Sequence, residues 1–240
     1  MPPVPVNNIL FIDIETVPQY PSYAQMPEEW KRLWELKSAY LLKNKENETT
    51  ESIYPRAGIY AEFGKIICIG CGILSGIGDE RKMTIKSFFS DDEKIVLLTF
   101  CDMLNNWMAA DSKYLCAHNG KEFDFPYLCR RLIANNIPIP STLQLAGKKP
   151  WEVLHLDTLE LWKFGDFKSF TSLNLLAHTL GIPTPKDDID GSKVWSVYWN
   201  EKNLQRIVQY CQKDVITVAQ IYLKMSGDRV IRESNIVFKQ

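Results

Sequence analysis

The sequence predicts an α/β fold in which a mixed sheet of about five strands is flanked by helices. Two observations lead to this prediction. Short apolar segments with strand character alternate with longer amphipathic segments along most of the chain. A meander near the N-terminus is followed by strand–helix–strand–helix units, an order that gives a mixed sheet with helices on its faces. At 240 residues, the chain is long enough for one domain with a substantial core.

The predicted elements follow the chain in order. The apolar run NNILFIDIET is the first strand, and a helical insertion at about residues 19–60 contains an amphipathic helix over 28–43. FGKIICIGCGIL and KMTIKSFFS form a hairpin across SGIGDE. Ser90 and Glu93 form a predicted capping box at the start of the next helix. The remaining elements are, in order, a strand in KYLCAHN, a helix in FPYLCRRLIANN, a strand in WEVLHLDT, a helix in FTSLNLLAHTLGIP and a long helix ending near Gly227.

Composition and charge exclude several classes of protein. No apolar run is long enough to span a bilayer, and the N-terminus lacks the pattern of a signal peptide, so we expect a cytoplasmic protein with no membrane partner. The formal net charge of −1 argues against a clamp that grips long duplex DNA non-specifically. It remains compatible with a site that binds a few nucleotides at the end of a strand.

The six cysteines predict buried thiols. Cys68 and Cys71 have a spacing seen in zinc sites, but they lie in an apolar strand, where a separation of three places them on opposite faces. No second pair supplies the remaining ligands of a tetrahedral site.

Two acids at the end of the first strand are the first candidate functional residues. Asp13 and Glu15 are two positions apart, so both side chains project from the same face of the strand. Two adjacent carboxylates raise each other's pKa, and a shared divalent cation with oxygen ligands keeps both ionised. Alternatively, the strand frays here and its acids reach solvent.

Two further stretches contribute polar groups. In NGKEFDFPYL, Asp124 lies at a strand-to-helix turn, where it is either a functional acid or a helix N-cap followed by Pro126. In YCQKD, Tyr210 and Asp214 are separated by four positions of a helix and share one otherwise apolar face. Buried polar groups of this kind need partners.

Taken together, DIET, NGKEFD and YCQKD resemble the three exonuclease motifs of the DEDD superfamily, in its tyrosine-bearing branch. The similarity is greatest to the exonuclease domains of family-B DNA polymerases and to a stand-alone bacterial group similar to them, and it extends from about residue 8 to 225. It implies a ribonuclease H-like fold. The other branch carries a histidine five residues before the final Asp, where this chain has Gln209. The insertion at about 19–60 departs from the family pattern.

The resemblance also implies a role for each motif residue in phosphodiester hydrolysis with two divalent ions, Mg²⁺ or Mn²⁺. Asp13 would bridge both ions, Glu15 and Asp214 would hold the ion that carries the attacking water, and Asp124 would hold the other. Tyr210 would orient the water, because a phenol with a pKa near 10 is a poor base at neutral pH.

Residues near the motifs are expected to contact the substrate: Thr16, Val17, Asn119, Phe123, Phe170 and Leu173. The first two would line the site of the 3′-terminal nucleotide, the next two would contact the penultimate sugar or base, and the last two would wall the cleft. Core packing explains Leu173 equally well. Loop lysines in the C-terminal half either meet phosphates or are ordinary surface residues: Lys148, Lys149, Lys168, Lys186 and Lys193.

The expected function is a metal-dependent 3′→5′ exonuclease that releases nucleotides from 3′ ends of single-stranded DNA. An exoribonuclease that trims RNA ends is the alternative within the same branch, and a non-catalytic nucleic-acid-binding module is a third possibility. Retention of all four acids and the tyrosine argues against that third possibility. Since no polymerase domain follows residue 240, a proofreading role would require a polymerase or repair partner.

Overall fold

The fold is α/β, with one mixed sheet flanked by helices. The structure, a computed structural model, describes residues 4–109, 113–166, 170–183 and 189–239. The sheet has the order β5-β4-β1-β2-β3-β6. Its strands are β1 Ile9–Pro18, β2 Gly64–Ser75, β3 Lys82–Phe89, β4 Tyr114–Ala117, β5 Leu156–Asp157 and β6 Ile236–Lys239. β1 lies at the centre, antiparallel to β2 and parallel to β4.

Helices cover both faces of the sheet. Their bounds in the described residues are α1 Glu28–Leu41, α2 Glu93–Trp107, α3 Asp124–Ala134, α4 Thr158–Lys163, α5 Leu173–Thr179, α6 Val194–Trp199 and α7 Leu204–Met225. None of the helices in the described part of the chain is long and apolar enough to cross a membrane.

Alternating residues of β1 belong to different cores. Leu10 and Ile12 pack with residues of α2 and α3 on one face. Ile9 and Phe11 pack with residues of α7 on the other. Because side chains alternate along a strand, Asp13 and Glu15 lie on the α7 face. The sheet thus directs both acids toward the helix that carries the third motif.

Two details of the fold differ from the prediction. A sixth strand, β6, pairs in parallel with β3 at the edge of the sheet. The N-cap of α2 is Asp92, whose side chain accepts from the amide of Lys94, so the predicted capping box is wrong. Glu93 is instead buried, and it accepts hydrogen bonds from the amide of Ile66 and the guanidinium of Arg131.

The segment between β1 and β2 has a small core of its own. It contains α1 and a 3-10 turn over Tyr54–Ile59. The indole of Trp34 packs edge-on against the ring of Tyr54 at a centroid distance of 5.7 Å. Buried residues of this core are Met26, Trp34, Ile53, Tyr54 and Ala57.

Candidate active site

The two acids of β1 lie in a low-dielectric environment. Glu15 is buried and Asp13 is half-buried. Burial raises the pKa of Asp13 well above its usual range, and the nearby carboxylates of Asp214 and Asp124 raise it further. The pKa of Glu15 is raised in the same way by burial and then by Asp13 and Asp214. Oδ2 of Asp13 is buried and has no hydrogen-bond partner among the described residues.

Asp124 bonds to β1 just beyond the point where the pairing between β1 and β4 ends. β4 pairs with β1 only from Ile9 to Phe11, so the β1 edge beyond that point has no strand beside it on the β4 side. There the amide of Ile14 donates to Oδ1 of Asp124 at 3.2 Å. Burial raises the pKa of Asp124 to about 7, although the backbone amides that bond to it act in the opposite direction. Asp124 is the first residue of α3 rather than its N-cap, which is Phe123.

Tyr210 and Asp214 face these acids from α7. Burial raises the pKa of Tyr210 far above its usual value, and the charge of Asp214 adds to the rise. The Tyr210 hydroxyl donates a hydrogen bond to Asp214. Since the nearby carboxylates also disfavour the phenolate, the hydroxyl stays protonated at neutral pH.

Glycines in β2 allow α7 to approach this closely. Gly70 lies opposite Asp13 in the β1–β2 ladder. A methyl group added at Gly70 would lie 2.8 Å from Sγ of Cys211 and 2.9 Å from Cγ2 of Val215, both on α7. At Gly72, it would lie 2.9 Å from Cγ1 of Val215. The glycines of the GCG sequence therefore set the distance between the third motif and the first.

Cys211 lies directly behind the acids. Its thiol and the carboxylates of Asp13 and Glu15 all have potential ligand atoms within 4.8 Å of one another. Burial raises the pKa of the Cys211 thiol well above its usual value, and its Sγ donates to the main-chain oxygen of Asp13 at 3.5 Å. Cys211 therefore acts as a buried, protonated thiol, as the sequence predicts.

A cleft of about 450 Å³ opens over the carboxylates. Its described lining residues come from β1, the insertion, the start of α3, the 191–195 segment and α7: Asp13, Ile14, Glu15, Thr16, Pro55, Arg56, Gly58, Ile59, Phe123, Gly191, Ser192, Trp195, Tyr210 and Asp214. The insertion and the 191–195 segment are joined by a hydrogen bond from Nε1 of Trp195 to the carbonyl of Pro21 at 3.0 Å.

Comparison with known proteins identifies the family of this chain. Residues 59–231 match the sequence model of a family described as "Predicted 3'-5' exonuclease related to the exonuclease domain of PolB". The chain belongs to this family. Among curated proteins, no relative matches it.

A solved structure has the same fold. The family B DNA polymerase from the hyperthermophilic archaeon Pyrobaculum calidifontis is similar to this chain with a TM-score of 0.50 at 16% sequence identity. The similarity covers 92% of this chain and 26% of the polymerase. The chain thus spans about a quarter of the length of that polymerase, and the likeness identifies the fold alone.

The structure separates the predicted substrate residues into two groups. Thr16 and Phe123 line the cleft with the acids. Val17 has no exposed surface, because residues of α6 and α7 cover it. This corrects the expected contact between Val17 and a nucleotide.

The other three predicted substrate residues do not line the cleft. Asn119 occupies a left-handed turn position with φ +62°, and its main-chain amide donates to the carboxylate of Asp157. Phe170 is exposed, and Leu173 packs against two hydrophobic clusters. Of the loop lysines, none that is described lines the cleft, and Lys168 and Lys186 lie outside the described residues.

Sequence reasoning missed Asp157, a buried acid at the end of β5. Its carboxylate accepts from the amides of Asn119 and Lys121 at 2.9 and 3.1 Å, and it also caps α4. It therefore fixes the turn that leads from β4 to Asp124. Asp157 lies at the end of a predicted strand, directly before Thr158. That position is the sequence feature from which its role could have been predicted.

The lining residues from the insertion and the 191–195 segment were also missed. The family match begins at Ile59, so it leaves out most of the insertion. No periodicity in a sequence shows onto which part of the fold an inserted segment packs.

Proposed function

We propose that this chain is a metal-dependent 3′→5′ exonuclease that releases nucleotides from the 3′ ends of single-stranded DNA. The observation that carries the proposal is the convergence of Asp13, Glu15, Asp124 and Asp214. The first, second and fourth line one cleft, and Asp124 lies beside them, bonded to the amide of Ile14. Three separate elements contribute these acids, and burial together with neighbouring acids raises the pKa of Asp13, Glu15 and Asp124, so their charges are costly without a cation. A structural role would not require such a concentration of buried charge.

The residues fit divalent cations with oxygen ligands. Oδ2 of Asp13 is a buried acceptor without a described partner, and its neighbours are carboxylates that repel it. The four acids would hold Mg²⁺ or Mn²⁺, both of which prefer oxygen ligands. When bound, such ions supply charge neutralisation at the phosphate and activation of a water at neutral pH.

Tyr210 positions the water that attacks the phosphorus atom. Its hydroxyl lies at the cleft beside Asp214, and it stays protonated because burial and neighbouring carboxylates raise its pKa. A protonated phenol holds and orients a water through hydrogen bonds but does not remove its proton. Thr16 and Phe123 flank the acids and would contact the terminal nucleotides.

The shape of the cleft favours a single strand over a duplex. Its volume of about 450 Å³ is in the range of small-ligand pockets, which suits a terminal nucleotide. Phe123, Trp195 and Ile59 give the cleft apolar and aromatic walls. Unpaired bases stack on aromatic side chains such as Phe123 and Trp195 regardless of sequence. The net charge of −1 also gives no basis for non-specific binding to long duplexes.

Oligonucleotide digestion tests this proposal. Matched single-stranded DNA and RNA oligonucleotides carry a label at either the 5′ or the 3′ end, and each is incubated with Mg²⁺, Mn²⁺ or EDTA. We expect a descending ladder from 5′-labelled DNA, immediate release of labelled mononucleotide from 3′-labelled DNA, and no reaction in EDTA. Asp13→Asn is the matched inactive control, and we expect it to retain some oligonucleotide binding.

The outcomes separate the alternatives. Digestion of RNA in strong preference to DNA would replace the proposed substrate with RNA ends. Binding without cleavage of either strand under all metal conditions would indicate a non-catalytic nucleic-acid-binding module. Near-normal turnover by Asp13→Asn would refute the role assigned to the carboxylates.

A further inference from the structure

We infer that the Tyr54–Ile59 turn of the insertion is a substrate-binding wall of the active site, in which Arg56 binds a backbone phosphate of the incoming single strand. The inference rests on the proposed exonuclease function. It assigns a role to the segment that departs from the family pattern. Arg56 precedes the family match, which starts at Ile59.

The turn is placed at the cleft by direct packing on β1. A Cβ added at Gly58 would lie 3.1 Å from both the Cα and the carbonyl carbon of Val17, two residues after Glu15. The carbonyl of Gly58 accepts a hydrogen bond from the Tyr127 hydroxyl at 2.7 Å. The first contact packs the turn on the strand that carries Asp13 and Glu15, and the second joins it to α3, the helix that carries Asp124.

The other end of the turn is anchored within the insertion. The ring of Tyr54 is buried against Trp34, and its hydroxyl donates to the carbonyl of Tyr20 at 3.2 Å. The amide of Arg56 donates to the carbonyl of Ile53 at 3.0 Å. The backbone that carries Arg56 is therefore held at both ends, which lowers the entropy cost of using this side chain for binding.

Charge distinguishes Arg56 from the other residues of the cleft. The floor carries Asp13, Glu15 and Asp214, and Arg56 is the only basic side chain among the described lining residues. A nucleic-acid strand that enters this acidic site needs compensation for phosphates that lie beyond the reach of the bound cations. A guanidinium is suited to this task because it donates two parallel hydrogen bonds to a phosphate.

The ion pair between Arg56 and Glu48 is weak enough for a phosphate to replace Glu48. Nη1 of Arg56 lies 3.9 Å from Oε2 of Glu48, and the Arg56 side chain is 55% exposed. That same Glu48 oxygen is 2.7 Å from Nζ of Lys45. Exposed ion pairs of this length contribute little to stability, so a phosphate can replace Glu48 at small cost.

Ile59 completes the wall on the apolar side. Its side chain is about half exposed although it is large and hydrophobic, and it lines the cleft with Phe123 and Trp195. The turn therefore offers a cation for the phosphate and an apolar surface for the sugar or base. Single-strand binding grooves combine basic with aromatic side chains, and here Phe123 and Trp195 beside Ile59 supply the aromatic surface.

Steady-state digestion of single-stranded DNA by Arg56→Gln, Arg56→Lys and Arg32→Gln tests the inference. Arg32 is an exposed cation of α1 that does not line the cleft, so its variant controls for net charge. We expect Arg56→Gln to raise KM about 10-fold or more with little change in kcat or melting temperature, as expected for one lost charged hydrogen bond. Arg56→Lys should recover part of the loss, and Arg32→Gln should resemble the wild type.

The salt dependence of oligonucleotide binding gives an independent readout. Loss of one phosphate contact should reduce the slope of log K against log salt concentration by about 0.7 for a single strand. Glu48→Gln removes the competing partner and should leave KM unchanged or lower it. If Arg56 only forms a surface ion pair with Glu48, Arg56→Gln changes neither KM nor the salt slope.

The failure of this inference is distinguishable from failure of the proposed function. An inactive wild-type enzyme on every strand tested would overturn the function itself and the inference with it. An active wild type together with an Arg56→Gln variant that matches Arg32→Gln in KM and salt slope would overturn the inference alone. A fall in kcat at unchanged KM would also overturn it, because Arg56 would then act in the chemical step.

Discussion

Replacing Asp124 by Asn should stabilise the protein in the absence of metal. The buried carboxyl has a pKa raised from 3.8 to about 7, chiefly by burial. At pH 8 the group is ionised in both folded and unfolded chains. At 1.36 kcal/mol per pKa unit, this shift corresponds to roughly 4 kcal/mol of lost folding free energy. An asparagine keeps the shape and an oxygen that accepts from the amide of Ile14, but it carries no charge.

Only part of this energy should be recovered, because a buried amide has its own desolvation cost. We expect a gain of about 1–3 kcal/mol, which for a chain of this size corresponds to a rise in melting temperature of about 3–10 °C. The sign of the pH dependence follows from the raised pKa. The folded state is not penalised below pH 3.8, where the Asp124 carboxyl is protonated in both folded and unfolded chains. The stability is lost as pH rises through about 7, because the carboxyl ionises in the unfolded chain at a lower pH than in the folded protein. The advantage of Asp124→Asn should therefore increase from pH 5 to pH 8.

Thermal melts in EDTA at pH 5, 6.5 and 8 measure this effect, with Asp102→Asn as the control. Asp102 is an exposed acid of α2, so its substitution also removes one negative charge, but from a solvent-exposed position. Addition of Mg²⁺ should then raise the melting temperature of the wild type more than that of Asp124→Asn. A variant that melts at or below the wild-type temperature at pH 8, or with the same difference at every pH, would refute the electrostatic reasoning.

Three further predictions concern the site and its support. Tyr210→Phe should lower the single-turnover rate about 100-fold with little change in melting temperature, because it removes only the hydroxyl that we propose positions the attacking water; a wild-type rate would contradict that role. Gly64→Ala should cost about 1–3 kcal/mol in a denaturant melt, since its Cβ would lie 2.1 Å from Oη of Tyr127 and 2.6 Å from the carbonyl of Gly58. Gly191→Ala, which meets no atom within 4 Å, is its control, and equal costs would show that the close approach is unimportant. Circular dichroism in EDTA should show a folded protein, because metal only adds stability to an existing core; an unfolded spectrum would indicate a structural metal.

The periodicities of secondary structure were sufficient to predict which acids share a face. The two-residue spacing in β1 placed Asp13 and Glu15 together, and the four-residue spacing in α7 placed Tyr210 beside Asp214. Both rules depend only on local backbone geometry, which sequence determines well. The distance between β1 and α7 was not predictable from periodicity, because it depends on the absence of side chains at Gly70 and Gly72.

Val17 shows that a position next to a motif does not ensure contact with the substrate. It continues the alternation of Asp13 and Glu15, so strand periodicity alone directs it toward the same face as the acids. Val194 and Val197 of α6 pack over it, and this contact joins parts of the chain that are far apart in sequence. Alternation gives the direction of a side chain, whereas exposure depends on which distant segment covers that face.

The missed sixth strand has a different cause. Ile236, Val237 and Phe238 have strand propensity, but they form a very short segment near the C-terminus. Val237 and Phe238 are about half exposed, so the strand has neither a buried face nor a clear alternation. Its pairing with β3 over Met83 to Lys86 supplies the backbone partners that its local sequence does not specify.

The contacts that place the acids can form whether the acids are charged or neutral. The amide of Ile14 holds Asp124, the glycines of β2 admit α7, and the carboxylate of Asp157 fixes the turn before α3. The repulsion among the acids therefore cannot relax by moving them apart without breaking these contacts. It acts instead on protonation and on cation binding, which are the two remaining ways to reduce the charge. In the proposed metal site, the electrostatic energy that lowers stability in the metal-free state would favour the binding of divalent cations.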